Sequence, residues 1–183
     1  MDNKAIKYGI LVNSCSDSKN HRTYELGISD DRIKNSHHLS CYDWEMTNEA
    51  IKSLESLISS KKGEYDWGTE QIMITSEPEI STLEDYMYEE SLPNVKTSLL
   101  LNLMKEWRLF QLKYNDKETL QQIVKKAYNL VILNPKKYVQ RNSKTDYDIC
   151  IDRELISLQL IKKQGDFKLN PDEYASQIKR IVW

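Results

Sequence analysis

VKTSLLLNLMKEWRLFQLKYNDKETLQQIVKKAYNLVIL, running from Val95 to Leu133, is the stretch whose reading decides the fold. Its first half places Leu99, Leu103, Trp107, Phe110 and Tyr114 at three- and four-residue spacing. Leu100, Leu101, Met104, Leu109 and Leu112 widen that apolar sector, as expected of a helix covered on more than one side. The second half sets Leu120, Ile123, Val124, Ala127, Tyr128 and Val131 in a narrower stripe, opposite Gln121, Gln122, Lys125 and Lys126. Between the halves, Asn115 can cap the second helix with Glu118 at the third helical position. The spacing predicts an antiparallel αα-hairpin, because so short a connection makes its two helices neighbours.

Upstream, Lys7 to Asn13 and Thr23 to Ile28 read as strands, the second alternating Tyr24, Leu26 and Ile28 against Thr23, Glu25 and Gly27. Asp30-Asp31 and Asn35-Ser36 supply turn chemistry, and His38 to Trp44 is expected to be a third strand of a meander. Thr47 is expected to cap a helix with Ala50, Ile51, Leu54, Leu57 and Ile58 on one stripe, closed by Lys61-Lys62-Gly63. Gln71 to Thr75 reads as a fourth strand. Ser81-Thr82-Leu83-Glu84 has the form of a capping box and predicts a short helix.

Downstream, Asn134-Pro135 ends the hairpin and Lys136 to Asp146 reads as a polar, basic loop. Tyr147 to Ile151 is expected to be a strand, Asp152 to cap a helix running to Lys163, and Asn170-Pro171-Asp172-Glu173 to open a final helix. The predicted class is α+β, with a small, mostly antiparallel sheet from the N-terminal half packed with a helical C-terminal half that contains the αα-hairpin. A single domain over residues 1–183 is expected, and the place where a lobe boundary could fall is near Glu90.

Composition narrows the class. Three cysteines, Cys15, Cys41 and Cys150, are an odd number without metal-type spacing, which argues against a disulfide framework and for a reducing, cytoplasmic setting. The first residues lack an apolar core of the signal-peptide kind, and no apolar run is long enough for a membrane span. The net charge of −2 conceals a strong asymmetry. Residues 64–90 hold nine acidic side chains and no lysine or arginine, whereas residues 91–144 hold eleven basic and three acidic ones. Such separation bears on partners and association rather than on fold.

Candidates for catalysis carry little. Cys15 and His21 share a polar loop, but nothing resembles a catalytic cysteine signature. His37 and His38 would point to opposite faces of a strand and could not serve one metal ion. Asp146, Asp148, Asp152 and Glu154 cluster around the last expected strand, yet their spacing fits no metal-dependent nuclease motif, and strand-edge and N-cap roles account for them. With no phosphate loop, nucleophile elbow or zinc spacing, neither catalytic residues nor a metal or cofactor is assigned.

The acidic block is also aromatic. Glu64, Tyr65, Asp66, Trp67, Glu84, Asp85, Tyr86, Tyr88, Glu89 and Glu90 combine carboxylates, which steer a basic partner, with tyrosine and tryptophan, which anchor interfaces. The expectation is a non-enzymatic protein-binding module, in its most concrete form an inhibitor or immunity-type protein that covers the basic surface of a toxin nuclease. The alternative is a nucleic-acid-binding accessory domain that uses the basic hairpin and loop of residues 105–144, with Lys105, Arg108, Lys113, Lys117, Lys125, Lys126, Lys136, Lys137, Arg141 and Lys144 as the phosphate footprint. An enzyme of unrecognised type ranks third.

Overall fold

Asp43 begins the first helix. Its carboxylate accepts a hydrogen bond from the Met46 N–H at 2.8 Å, which caps α1 (Trp44–Ser60) one turn before the expected Thr47. Thr47 is instead buried in the helix, its Oγ1 donating to the Asp43 carbonyl. At the other end Lys61 adopts the left-handed conformation (φ 55°), with its N–H on the Leu57 carbonyl at 3.1 Å. A lysine thus holds the closing position expected of Gly63. This computed structural model describes residues 5–14, 22–86, 90–133, 139–141, 146–151 and 154–160.

The contacts divide the chain into two compact units, Met1–Lys7 with Gly27–Lys113, and Tyr8–Leu26 with Tyr114–Trp183. The class is α+β.

In the first unit, β3 (Tyr65–Gly68), β4 (Ile72–Ser76), β5 (Ile80–Asp85) and β6 (Glu90–Lys96) form an antiparallel sheet in that order and lead into α2 (Thr97–Lys113). The short helix expected at Ser81 is strand β5. Its residues alternate exposed and buried, with Ser81, Leu83 and Asp85 inward and Ile80, Thr82 and Glu84 outward. The strand expected at His38–Trp44 is a 3-10 helix over Ser36–Cys41, entered through Asn35 in the left-handed region (φ 59°). Helix α2 runs antiparallel to α1. Lys105 pairs with Glu55 at 2.6 Å, Arg108 reaches Asn48 at 3.4 Å, and Trp107 and Gln111 donate to the Tyr42 carbonyl at 2.9 and 2.7 Å. The core between helices and sheet contains Ala50, Leu54, Ile72, Ile74, Leu83, Leu100, Leu103 and Trp107.

In the second unit, β1 (Ile6–Ser14) and β2 (Arg22–Asp30), whose ends Ile6–Lys7 and Gly27–Asp30 count with the first unit, join β7 (Val139–Arg141), β8 (Asp146–Ile151) and β9 (Glu154–Leu160). The sheet order is β2-β1-β9-β8-β7. Strand β1 is parallel to β9, from Tyr8 opposite Glu154 to Ser14 opposite Leu160, while β9–β8 and β8–β7 are antiparallel. The expected N-terminal meander is therefore replaced by a sheet closed from the far end of the chain. The helix expected from Asp152 is strand β9. A strand paired on both sides takes a nearly continuous apolar run, which periodicity alone does not distinguish from a helix.

Helix α3 (Lys117–Leu133) packs on β8. Its cap is Asp116, whose carboxylate accepts from the Thr119 N–H at 2.8 Å, one residue beyond the expected Asn115. The break between the two helices stands as expected, but the αα-hairpin is not confirmed: α2 packs on α1 and β6, and α3 on β8. The final helix expected from Asn170 lies outside the described residues. No described helix is long and apolar enough to cross a membrane.

Two interactions fix the first unit. The Tyr42 hydroxyl donates to the Gly68 carbonyl at 2.8 Å and accepts from the Gly68 N–H at 3.0 Å. Gly68 lies at φ 140°, and a Cβ there would meet the Ile72 carbonyl oxygen at 2.1 Å. Asp30, almost fully buried, holds Arg32 through two side-chain bonds at 2.8 and 2.6 Å. Burial alone would raise the Asp30 pKa, but the hydrogen bonds and charge of Arg32 outweigh it and keep the carboxyl below its ordinary range.

Tyr42→Phe is expected to lower unfolding free energy by about 1–3 kcal/mol, because both polar groups of Gly68 lose their partner. Gly68→Ala should cost more, through the clash with the Ile72 carbonyl; urea titration followed by tryptophan fluorescence measures both. A depressed carboxyl pKa contributes stability that is complete above the unfolded value of about 3.9 and is lost as pH falls through the folded value. Asp30→Asn should therefore destabilise at neutral pH and flatten the acid limb of the stability curve below about pH 4.

Candidate functional site

The antiparallel register of β3–β6 sorts the acidic block onto two faces. Toward the core point Trp67, Ile72, Ile74, Ser76, Ser81, Leu83 and Asp85. Toward solvent, Asp66 stands opposite Thr75 and Thr75 opposite Thr82. Met73 lies between Gly68 and Glu84, and Glu84 stands opposite Ser91. The alternation arises because successive strand residues take opposite sides, so an antiparallel sheet with one face on the core leaves the other to water.

The ten residues expected at a partner surface are accordingly not one surface. Glu64, Asp66 and Glu84 are exposed, as is Tyr86 just past β5. Trp67 is only 6% exposed, donates its indole N–H to Ser76 Oγ at 2.9 Å, and meets the Tyr42 ring edge-on at 5.9 Å. It is core. Tyr65 is half-buried and stacks on Trp67 at 6.1 Å, and burial raises its pKa despite a hydrogen bond with Ser53. Asp85 is 1% exposed and accepts from Asn35 Nδ2. It ties the sheet to the left-handed turn before the 3-10 helix. Glu90 is paired across the ladder with Asp85, while Tyr88 and Glu89 lie outside the described residues.

The remaining acids of the block lie at the sheet's turns. Glu70 sits between β3 and β4, and Glu77 and Glu79 sit between β4 and β5, all exposed. The backbone of the second turn is anchored to the start of α2: Thr97 donates from its N–H to the Glu79 carbonyl at 3.0 Å and from Oγ1 to the Glu77 carbonyl at 2.6 Å. Among the described residues no ion pair joins Glu64, Asp66, Glu70, Glu77, Glu79 or Glu84 to a lysine or arginine. Asp66 accepts only a neutral hydrogen bond, from Thr75 Oγ1 at 2.7 Å.

Sequence reading missed Met73, Thr75, Thr82 and Ser91 as neighbours of these carboxylates. The signal was the period-2 alternation of Ile72–Ser76 and Ile80–Asp85, masked in the second case by the capping-box pattern.

The basic run divides differently from its expectation. Lys105 is committed to Glu55 and Arg108 to Asn48, both on α1, and α2 and α3 belong to separate units. Lys136, Lys137 and Lys144 lie outside the described residues.

The catalytic candidates gather no machinery. His37 and His38 lie in the 3-10 helix with ring centroids 4.1 Å apart, so the strand argument that would separate them does not hold. Burial and the neighbouring His38 lower the His37 pKa, against a raising contribution from Asp85. Among the described residues, however, no three metal-ligating side chains come together. Burial and the charge of Glu70 raise the Cys41 thiol pKa despite a backbone hydrogen bond, the opposite of an activated nucleophile. Asp146 and Asp148 lie in β8, Glu154 begins β9, and Cys15, His21 and Asp152 lie outside the described residues. No family model matches this chain, and no curated protein and no solved structure matches it either.

Proposed function

We propose that this chain is a non-enzymatic protein-binding module that receives a basic protein partner on the solvent face and turns of the β3–β6 sheet, in its most concrete form an inhibitor or immunity-type protein covering the cationic groove of a toxin nuclease. One observation carries the reading: six exposed carboxylates of one sheet have no cationic partner among the described residues. A basic surface arriving there gains ion pairs without first breaking internal ones, and the field of the cluster speeds encounter. Met73 and Tyr86 supply apolar and aromatic contact beside Glu84 and Asp85. Pro93 interrupts the hydrogen-bonding row of edge strand β6, which makes that edge a poor template for strand addition.

The test is capture from the native cell on immobilised full-length chain, followed by kinetics with the captured protein. The combined change Asp66→Lys, Glu70→Lys and Glu84→Lys should leave the circular dichroism spectrum unchanged and slow association about ten-fold or more. It should also flatten the dependence of the association rate on salt. Unchanged kinetics in that variant, or a captured partner with an acidic surface, would defeat the proposal.

A further inference from the structure

The α1–α2 seam exposes apolar side chains at one end. Arg108 meets Asn48 and Lys105 meets Glu55 across the seam. One turn beyond Arg108 stands Leu112, and one turn before Asn48 stands Trp44. Leu112 is 55% exposed, Trp44 45%, and Leu109, on the same side of α2, 57%. Exposed apolar side chains grouped in this way mark an interaction surface, and tryptophan is among the residues most enriched at interface centres.

The helices around this patch differ in charge. Leaving out Glu55 and Lys105, which pair with each other, helix α1 carries Glu45 and Glu49 against Lys52, a net −1, and α2 carries Arg108 and Lys113 against Glu106, a net +1. A two-fold rotation about an axis along the seam lays α1 of one copy over α2 of the other. That operation brings an acidic helix onto a basic one, sets the helices antiparallel with opposed dipoles, and carries Trp44 of each copy to Leu109 and Leu112 of the other. The surface is thus complementary to itself in charge, dipole and apolar content at once.

We propose that the Trp44–Leu109–Leu112 patch is a self-association surface that pairs two copies of this chain about a two-fold axis along the α1–α2 seam. The proposal is independent of the acidic sheet face, which lies on different elements. An apolar centre of three side chains supports weak rather than obligate pairing.

Sedimentation velocity on the full chain tests it. The weight-average mass should rise from 21.6 kDa toward twice that value between low-micromolar and near-millimolar concentration. Leu109→Lys and Leu112→Lys, each at a side chain more than half exposed, should hold the chain at monomer mass over the whole range with an unchanged circular dichroism spectrum. Glu45→Lys, which puts a cation over the basic helix of the other copy, should weaken association about five-fold. A wild-type chain that stays monomeric throughout, or Leu109→Lys and Leu112→Lys variants that associate like wild type, would overturn the proposal. An unchanged constant in Glu45→Lys would overturn the two-fold arrangement of acidic over basic helix.

Discussion

Tyr42 connects three elements of the first unit by hydrogen bonds at both of its ends. Its hydroxyl brackets the peptide of Gly68 in β3, donating to the carbonyl and accepting from the N–H. Its own carbonyl accepts from Trp107 and Gln111 of α2, and it stands two residues before α1. Remove that residue and the helix pair, the sheet edge and the loop between them lose their common reference. The arrangement requires glycine at position 68, since its φ of 140° and the backbone of Ile72 and Met73 leave no room for a side chain. Burial pushes the Tyr42 pKa up to about 12, against the opposing hydrogen bond with Gly68. The hydroxyl therefore keeps its proton, and with it the donating half of the bracket, across the physiological range.

A second polar device sets the phase of the sheet. Trp67 donates to Ser76 Oγ, Ser81 donates to the same oxygen at 2.8 Å, Ser81 and Thr97 hydroxyls lie 2.9 Å apart, and Thr97 reaches the Glu77 carbonyl. Buried hydroxyls are costly unless each has a partner, and this chain supplies partners only when Ser76 and Ser81 both face inward. A slip of one residue would turn the serines to water and bring Thr75, Thr82 and Glu84 into the core. The hydroxyl chain thus decides which carboxylates the sheet presents. Asp66 and Glu84 face outward because their neighbours have fixed inward places.

The sequence was legible where a single period ran long enough to exclude its rivals. α1, α2 and α3 follow the three- and four-residue spacing, and β1, β2, β4 and β8 follow their apolar alternation, with ends displaced by a few residues. Three misreadings share a cause, namely that a local pattern of four to ten residues was compatible with two structures and long-range pairing chose between them. Ser81–Glu84 has the residues of a capping box, but β4 offers a ladder at Ile74 and Ser76 that strand β5 completes. Residues 154–160 carry enough leucine and isoleucine for a helix, yet β1, nearly 150 positions earlier, supplies a parallel edge. His38–Trp44 alternates weakly, and the left-handed Asn35, held by Asp85 from fifty positions away, starts a tight helical turn instead. For the candidate surface, charge was legible and side was not: composition identified the acidic block, while the register that put Trp67 and Asp85 inside depended on strands β3, β5 and β6, none of which the sequence pattern marked as strands.

The carboxylates of the first unit fall into two populations, and the division has a physical logic. Those out of contact with water are matched: Asp30 by the Arg32 guanidinium and Asp85 by the Asn35 amide. A buried carboxylate that loses its partner costs several kcal/mol, which makes the Asp30–Arg32 pair a requirement of the fold's stability. The exposed acids of the β3–β6 sheet and its turns are under no such requirement, because water and salt screen their mutual repulsion to a small fraction of what it would be inside. Folding therefore neither needs nor forbids cations beside them: of the basic residues of 91–113, Lys96 stands on β6 of the same sheet opposite Ile80, while Lys105 and Arg108 meet α1. A surface left in that state keeps its full attraction for an external cationic body, whereas one neutralised by its own lysines would have to surrender each bond before forming a new one. The separation of acidic and basic residues along the sequence acquires a spatial meaning in this way: Asp66 and Glu84 on the solvent face, with Glu64, Glu70, Glu77 and Glu79 at the start and turns of the sheet, stand without an ion-pair partner among the described residues.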